Sequence, residues 1–302
     1  PKTSARTTDA LELHRRSIVI DGLNVSRWGD EAVYRHLHEG GVAAINATQA
    51  IWEGTKQTMQ NIGRFLRDFE TFERYIRPVT HVADIHAAKQ EHRVGIILGF
   101  QNSSPIEDDL HLVEVFYRLG VRVIQITYND LNFVGAGCYE RNDIGLSQFG
   151  VDLVKEMNRL GIVIDLSHVG YRTTMEAIEV SEKPVWFSHA NPMALHQHCR
   201  NKSDEQVKAL VAKGGVVGIN IFPPFLKRGY ESDLDDVIDA LEYWIESAGI
   251  DHVSFGLDFT ENQSASWFHW MMSGKGTAPI YPLSLPLKLP AGIERADEFP
   301  NI

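Results

Sequence analysis

Two histidines, His168 and His189, close short apolar runs in the segments IDLSH and WFSH, each directly after a serine. If those runs are neighbouring strands of a parallel sheet, their ends lie about 4.8 Å apart, so the two imidazoles can converge on one cation or form a catalytic dyad. Asp258, in FGLDF, closes a third run. Its apolar neighbours push a carboxyl pKa upward unless a cation or hydrogen bonds hold it ionised, which suits a ligand or a general base. Each residue taken singly also fits a duller role, a hydrogen-bonded histidine on a sheet rim or an aspartate capping a loop. The matching positions of the two histidines favour chemistry. Other run ends are polar as well, with Asn24, Gln101, Asn102, Tyr128, Asn129 and Asn220. Cys138 and Glu140 in GAGCYERND and the HQHC cluster at 196–199 are weaker sources of a ligand, because HQH spacing suits no standard structural zinc site.

Such residues need a scaffold that gathers strand ends. Apolar runs rich in β-branched residues recur at 17–24, 41–48, 94–101, 121–128, 162–168, 185–189, 216–222 and 253–259. Helical periodicity appears between them at 57–76, 107–119, 147–160, 171–181, 203–213 and 232–248. In the third of these, Phe149, Leu153, Met157 and Leu160 form one apolar stripe, and Ser203 followed by Asp204 and Glu205 signals a capped helix start. Eight βα units can close a barrel or build a doubly wound sheet. The first run leads into DGLNVSR rather than a glycine-rich phosphate loop, so the expected fold is an α/β (β/α)8 TIM barrel, with its site at the carboxyl ends of the strands. One domain over 1–302 is expected, with the irregular stretch 263–289 as a long loop over the barrel mouth.

A net charge of −11 argues against nucleic acid or an anionic membrane surface and leaves a small-molecule substrate as the expected partner. Cys138 and Cys199 are the only cysteines, too few for a secreted disulfide framework. No 18-residue apolar window occurs and the opening residues lack the apolar stretch of a signal peptide, so a cytoplasmic location is expected.

The segments LGVRVIQITYND, GLSQFGVDLVKEMNRLGIVIDLSHVG, PVWFSHA and DHVSFGLDF resemble, in order and spacing, the membrane (renal-type) dipeptidase family, peptidase M19 of the amidohydrolase superfamily. The likeness runs from about Ile18 to the end of the chain. It implies a metal-dependent hydrolase on a TIM barrel, with a binuclear zinc centre that cleaves dipeptides, and a homodimer as the expected assembly. His168 and His189 match the two histidine ligands of one zinc, and Asp258 matches the aspartate associated with the other zinc and with proton transfer. Arg200 falls near the arginine that holds the substrate carboxylate.

Several positions depart from the family pattern. Leu23 and Val25 replace a histidine and an aspartate ligand in the first-run motif, Gln101 replaces a bridging glutamate, and Tyr128 replaces a histidine. The resulting expectation is a hydrolase with one zinc rather than two, held by His168, His189 and Gln101. Asp258 and Tyr128 are then catalytic, and Arg200, Asn129 and Asn220 bind substrate. The competing expectation is a metal-free relative that acts as a small-molecule binding protein or a non-peptidase enzyme, because three ligands are lost at once.

Overall fold

The computed structural model describes residues 10–274 and 283–302. Nine strands, all paired in parallel, run β1 (Ile20–Asn24), β2 (Ala44–Ala50), β3 (Ile76–Pro78), β4 (Val94–Phe100), β5 (Val121–Gln125), β6 (Val163–Asp165), β7 (Trp186–Phe187), β8 (Val216–Ile219) and β9 (Val253–Phe255). Eight of them close a barrel. β2 pairs with β4 from Ala44↔Gly95 to Ala50↔Phe100, and the ring ends with β9 against β1 at Asp21↔Phe255. β3 stands outside that ring. It pairs with the first half of β4, residues 94–96, while β5 pairs with the second half, residues 98–100.

The helices that follow the strands are α1 (Glu31–Glu39), α2 (Thr55–Thr71), α3 (Val82–Gln90), α4 (His111–Arg118), α5 (Gln148–Leu160), α6 (Tyr171–Val180), α7 (Asp204–Ala212), α8 (Leu234–Ala248) and α9 (Ala265–Ser273). Most of them bury one apolar face; α3, with Ala88 as its one buried residue, does not. In α5 the stripe turns Leu153 and Met157 fully inward and packs Phe149 and Leu160 on the core edge. Ser203 caps α7 as expected, its oxygen accepting from the Gln206 amide. Trp244 on α8 is fully buried and donates its indole N–H to the Ala190 carbonyl at 3.0 Å, which ties that helix to the end of β7.

Two glycines shape the barrel next to the histidines. A Cβ at Gly256 would sit 1.7 Å from the Ser188 carbonyl oxygen, and one at Gly218 would sit 2.1 Å from it. Any side chain at either position forces the segment carrying Ser188 and His189 to move.

The stretch over the mouth differs from the expected loop. Residues Ala265–Ser273 form α9, capped by Ser264, and 275–282 lie outside the described residues. Phe268, Met271 and Met272 of α9 pack on Ile51, Tyr128, Phe222 and Phe225 to make a second apolar cluster above the strand ends. Each such side chain contributes roughly 1.5–3 kcal/mol when fully removed from water, so the helix stays seated. Among the described residues no helix is long and apolar enough to cross a membrane.

Candidate metal and catalytic site

His168 and His189 follow β6 and β7, and their strand-end placement brings the rings together. The two Nε2 atoms lie 3.0 Å apart, and the side chains are almost wholly buried. What the rings do with their other nitrogens decides what lies between them. His168 Nδ1 faces the Asn129 side-chain oxygen Oδ1 at 2.7 Å, which can only accept, so that nitrogen carries the proton. His189 Nδ1 faces the Ser188 hydroxyl at 2.6 Å. That hydroxyl directs its single proton to Asp165 Oδ2, also at 2.6 Å, so it accepts from His189 Nδ1. In both neutral rings Nε2 is therefore the lone-pair nitrogen. Burial first, then the Arg200 charge, holds both imidazoles well below the ordinary histidine range and keeps them neutral.

Two lone pairs 3.0 Å apart repel unless a positive centre sits between them. Bond lengths of 2.0–2.1 Å to a tetrahedral zinc place two ligand nitrogens roughly 3.3 Å apart, so the observed gap is within a few tenths of an ångström of a two-histidine zinc site. Leu23 and Val25 are buried apolar side chains, and among the described residues no group of three or more His, Cys, Asp and Glu side chains is placed to hold a metal.

The remaining candidates have distinct partners. Tyr128 stacks on His168, with ring centroids 4.1 Å apart and planes at 25°. Gln101 is buried and donates from Nε2 to the Thr48 hydroxyl at 3.2 Å. Asp258 accepts from Asn220 Nδ2 at 3.4 Å, and burial raises its carboxyl to about 6 against the opposing pull of Arg200 and Asn220. Asn129 and Asp258 both take left-handed backbone angles, φ 61° and 62°, which Asn and Asp tolerate better than most residues. Asn129 directs its oxygen to His168 and Asn220 its amide to Asp258, so each is already tied to a side chain of the site.

Arg200 sits deeper than a residue that meets substrate at the mouth. Its Nη1 donates to the Ser167 carbonyl at 2.9 Å and its Nη2 to the His189 carbonyl at 2.8 Å, behind the two imidazoles. Those bonds engage one N–H of each Nη, while Nε has no partner among the described residues. Lys202 lies nearby, equally buried, donating to the Val169 carbonyl at 2.9 Å. Burial lowers its amine to about 7. Cys138 and Cys199 remain separate thiols that contact one another beside this group. Sequence reasoning overlooked Lys202 and Asp165. The serine before each histidine was the available signal for Asp165, whose oxygens take both hydroxyls.

Residues 9–268 match a family model for membrane dipeptidase (peptidase family M19). The chain belongs to the membrane dipeptidase family. Among solved structures it is similar to an amidohydrolase from Pseudomonas aeruginosa, with a TM-score of 0.93 and 42% identity, covering 97% of this chain and 89% of that one. It shares its fold with a Rhodobacter sphaeroides metallo peptidase liganded with a phosphinate mimic of the dipeptide L-Ala-D-Ala, at TM-score 0.78 and 20% identity, covering 94% and 90%. A Schizosaccharomyces pombe protein described as an uncharacterized dipeptidase is 36% identical over 181 residues, 58% of this chain. That match spans 44% of the yeast protein, less than half its length.

Proposed function

We propose that this chain is a metal-dependent hydrolase of the dipeptidase type, working with one divalent cation held by His168 and His189. The observation that carries the reading is the pair of Nε2 lone pairs facing each other at 3.0 Å, with both Nδ1 protons fixed by Asn129 and Ser188. Relatives described as an amidohydrolase and a dipeptidase support the same class of reaction.

Zinc at that position supplies a Lewis acid for the scissile carbonyl and acidifies an attacking water. His168 and His189 would hold the ion as neutral nitrogen ligands, and the Gln101 amide oxygen would be a candidate for a further weak bond. Asp258 takes the proton from the water and returns it to the leaving nitrogen, a role suited to a carboxyl raised to about 6. The Tyr128 phenol donates to the developing oxyanion. The positive charge of Arg200, behind the imidazoles, favours an anionic group such as the carboxylate of a dipeptide or related small acid.

A second reading, a binding protein without metal, draws on the absence of any third charged ligand among the described residues. The two readings part in one experiment. Protein stripped with a chelator is assayed against a panel of dipeptides, with and without added zinc, beside His168→Ala. Hydrolysis that returns with one equivalent of zinc in the parent and not in the variant supports the hydrolase. Tight dipeptide binding with no turnover at any zinc concentration overturns it.

A further inference from the structure

Asp165 touches neither the reacting space nor the barrel mouth, yet it accepts four hydrogen bonds at the junction of β6 and β7. Its Oδ1 takes the Ser167 amide at 3.0 Å, the Ser188 amide at 3.1 Å and the Ser167 hydroxyl at 2.6 Å, and its Oδ2 takes the Ser188 hydroxyl at 2.6 Å. The Ser167 oxygen in turn accepts the His189 backbone amide at 3.1 Å. Every one of these bonds leads to a residue next to, or bearing, one of the two imidazoles.

The direction of the chain Asp165, Ser188, His189 matters more than its length. A serine hydroxyl has one proton. With an ionised carboxylate on one side it gives that proton to the carboxylate and accepts from the ring, which leaves Nε2 bare. With a donor on that side it turns round, gives its proton to Nδ1, and the ring's own proton moves to Nε2. A protonated Nε2 cannot bind a cation. We infer that Asp165 is a positioning residue: acting through Ser188, it fixes the His189 tautomer that presents a lone pair to the space between the histidines. The bond from Ser188 back to the Ser167 hydroxyl, 3.2 Å, is the longer alternative for the same proton and loses to the carboxylate.

The arrangement is a carboxylate supporting a ligand imidazole, with a hydroxyl interposed. Outer supports of this kind are worth about ten- to hundredfold in metal affinity. Asn129 performs the matching task for His168 directly, as a neutral acceptor, so only one of the two rings depends on a charge. The inference deepens the proposed cation site, but its first readout does not depend on any metal.

The test uses the full chain labelled with nitrogen-15 histidine. In metal-free protein the His189 Nδ1 signal is expected to be that of a protonated nitrogen. In Asp165→Asn, where the amide nitrogen facing Ser188 becomes a donor, it is expected to be that of a bare acceptor, and zinc affinity is expected to fall about ten- to hundredfold. Ser188→Ala removes the hydroxyl with its bonds to Asp165, His189 and Ser167 and leaves the other three Asp165 contacts intact, so it guards against a folding defect in the first variant; it should lose affinity too, and Ser188→Thr should restore it. Retention of a protonated Nδ1 and parental zinc affinity in both Asp165→Asn and Ser188→Ala overturns the inference. If the parent binds no zinc at all yet Nδ1 changes state in Asp165→Asn, the tautomer control stands and the hydrolase reading fails.

Discussion

Gly256 lies directly beneath the carbonyl of Ser188, so close that a single added carbon would stand 1.7 Å from that oxygen. The contact joins β9 to the segment after β7, and it decides how far His189 reaches over the barrel. Gly218 on β8 meets the same oxygen, so two strands press on one carbonyl from below. Gly256→Ala should therefore cost about 3 kcal/mol or more in urea unfolding. Zinc affinity should fall with it, because Ser188 and His189 must shift together. A variant with parental stability and parental affinity would show that the strands yield without disturbing the site.

Asp21 gives the fold a pH dependence of a defined sign. It is buried at the start of the DGLNV segment, accepts the Leu257 amide at 2.9 Å, and is raised to about 7, chiefly by burial. A carboxyl with a folded pKa above its unfolded one binds more protons when folded, so stability falls as pH rises from about 4 through 7. Asp21→Asn should remove that slope and gain on the order of 2–4 kcal/mol at pH 8 relative to pH 4. Unfolding curves of parent and variant at the two pH values check it, and parallel slopes would refute it.

On the proposed one-cation reading, a second metal position should be obtainable by substitution. Leu23→His, Val25→Asp and Gln101→Glu in one chain would place ligating side chains in β1, in the segment after it and just past the end of β4. Metal analysis of the triple variant should give two zinc ions per chain where the parent gives one. An unchanged stoichiometry would mean that these positions do not converge on the histidine pair.

Strand ends were legible from residue types because a parallel barrel leaves only a few sites for polar groups in apolar runs, and His168, His189 and Asp258 occupy such sites. Helix α5 was legible for the same reason, since its buried stripe repeats at helical spacing. α3 was not, because Ala88 is its only buried residue and no periodicity results. β3 escaped notice as a three-residue strand ending in Pro78 that pairs only with the first half of β4. α9 read as irregular because apolar residues occupy most of its length, Trp267, Phe268, Trp270, Met271 and Met272, and leave no polar face to mark a helical period. The role of Asp165 lay beyond reach for a different reason: the direction of a hydroxyl proton depends on contacts between β6 and β7 that residue order does not encode.

Substrate preference should depend on the wall beside Tyr128. Trp52 meets Tyr128 edge to face at 5.0 Å, and the same tryptophan lines a cavity of about 610 Å³ with Leu131, Asn132 and Phe133. Phe133 is 63% exposed, a large apolar surface held in place by a loop whose Asn132 bonds to Asn102 and Ser103. Phe133→Ala should lower kcat/KM for dipeptides with a bulky apolar side chain roughly threefold to tenfold and leave diglycine unchanged. Equal losses for both substrates would remove this cavity from the account.

The most direct measurement is anomalous diffraction at the zinc edge from crystals grown with zinc. One peak is predicted, about 2.0–2.1 Å from His168 Nε2 and from His189 Nε2, with Asn129 and Ser188 still bonded to the opposite ring nitrogens. No peak between the rings at saturating zinc, or rings turned so that Nε2 atoms no longer face each other, would contradict the account.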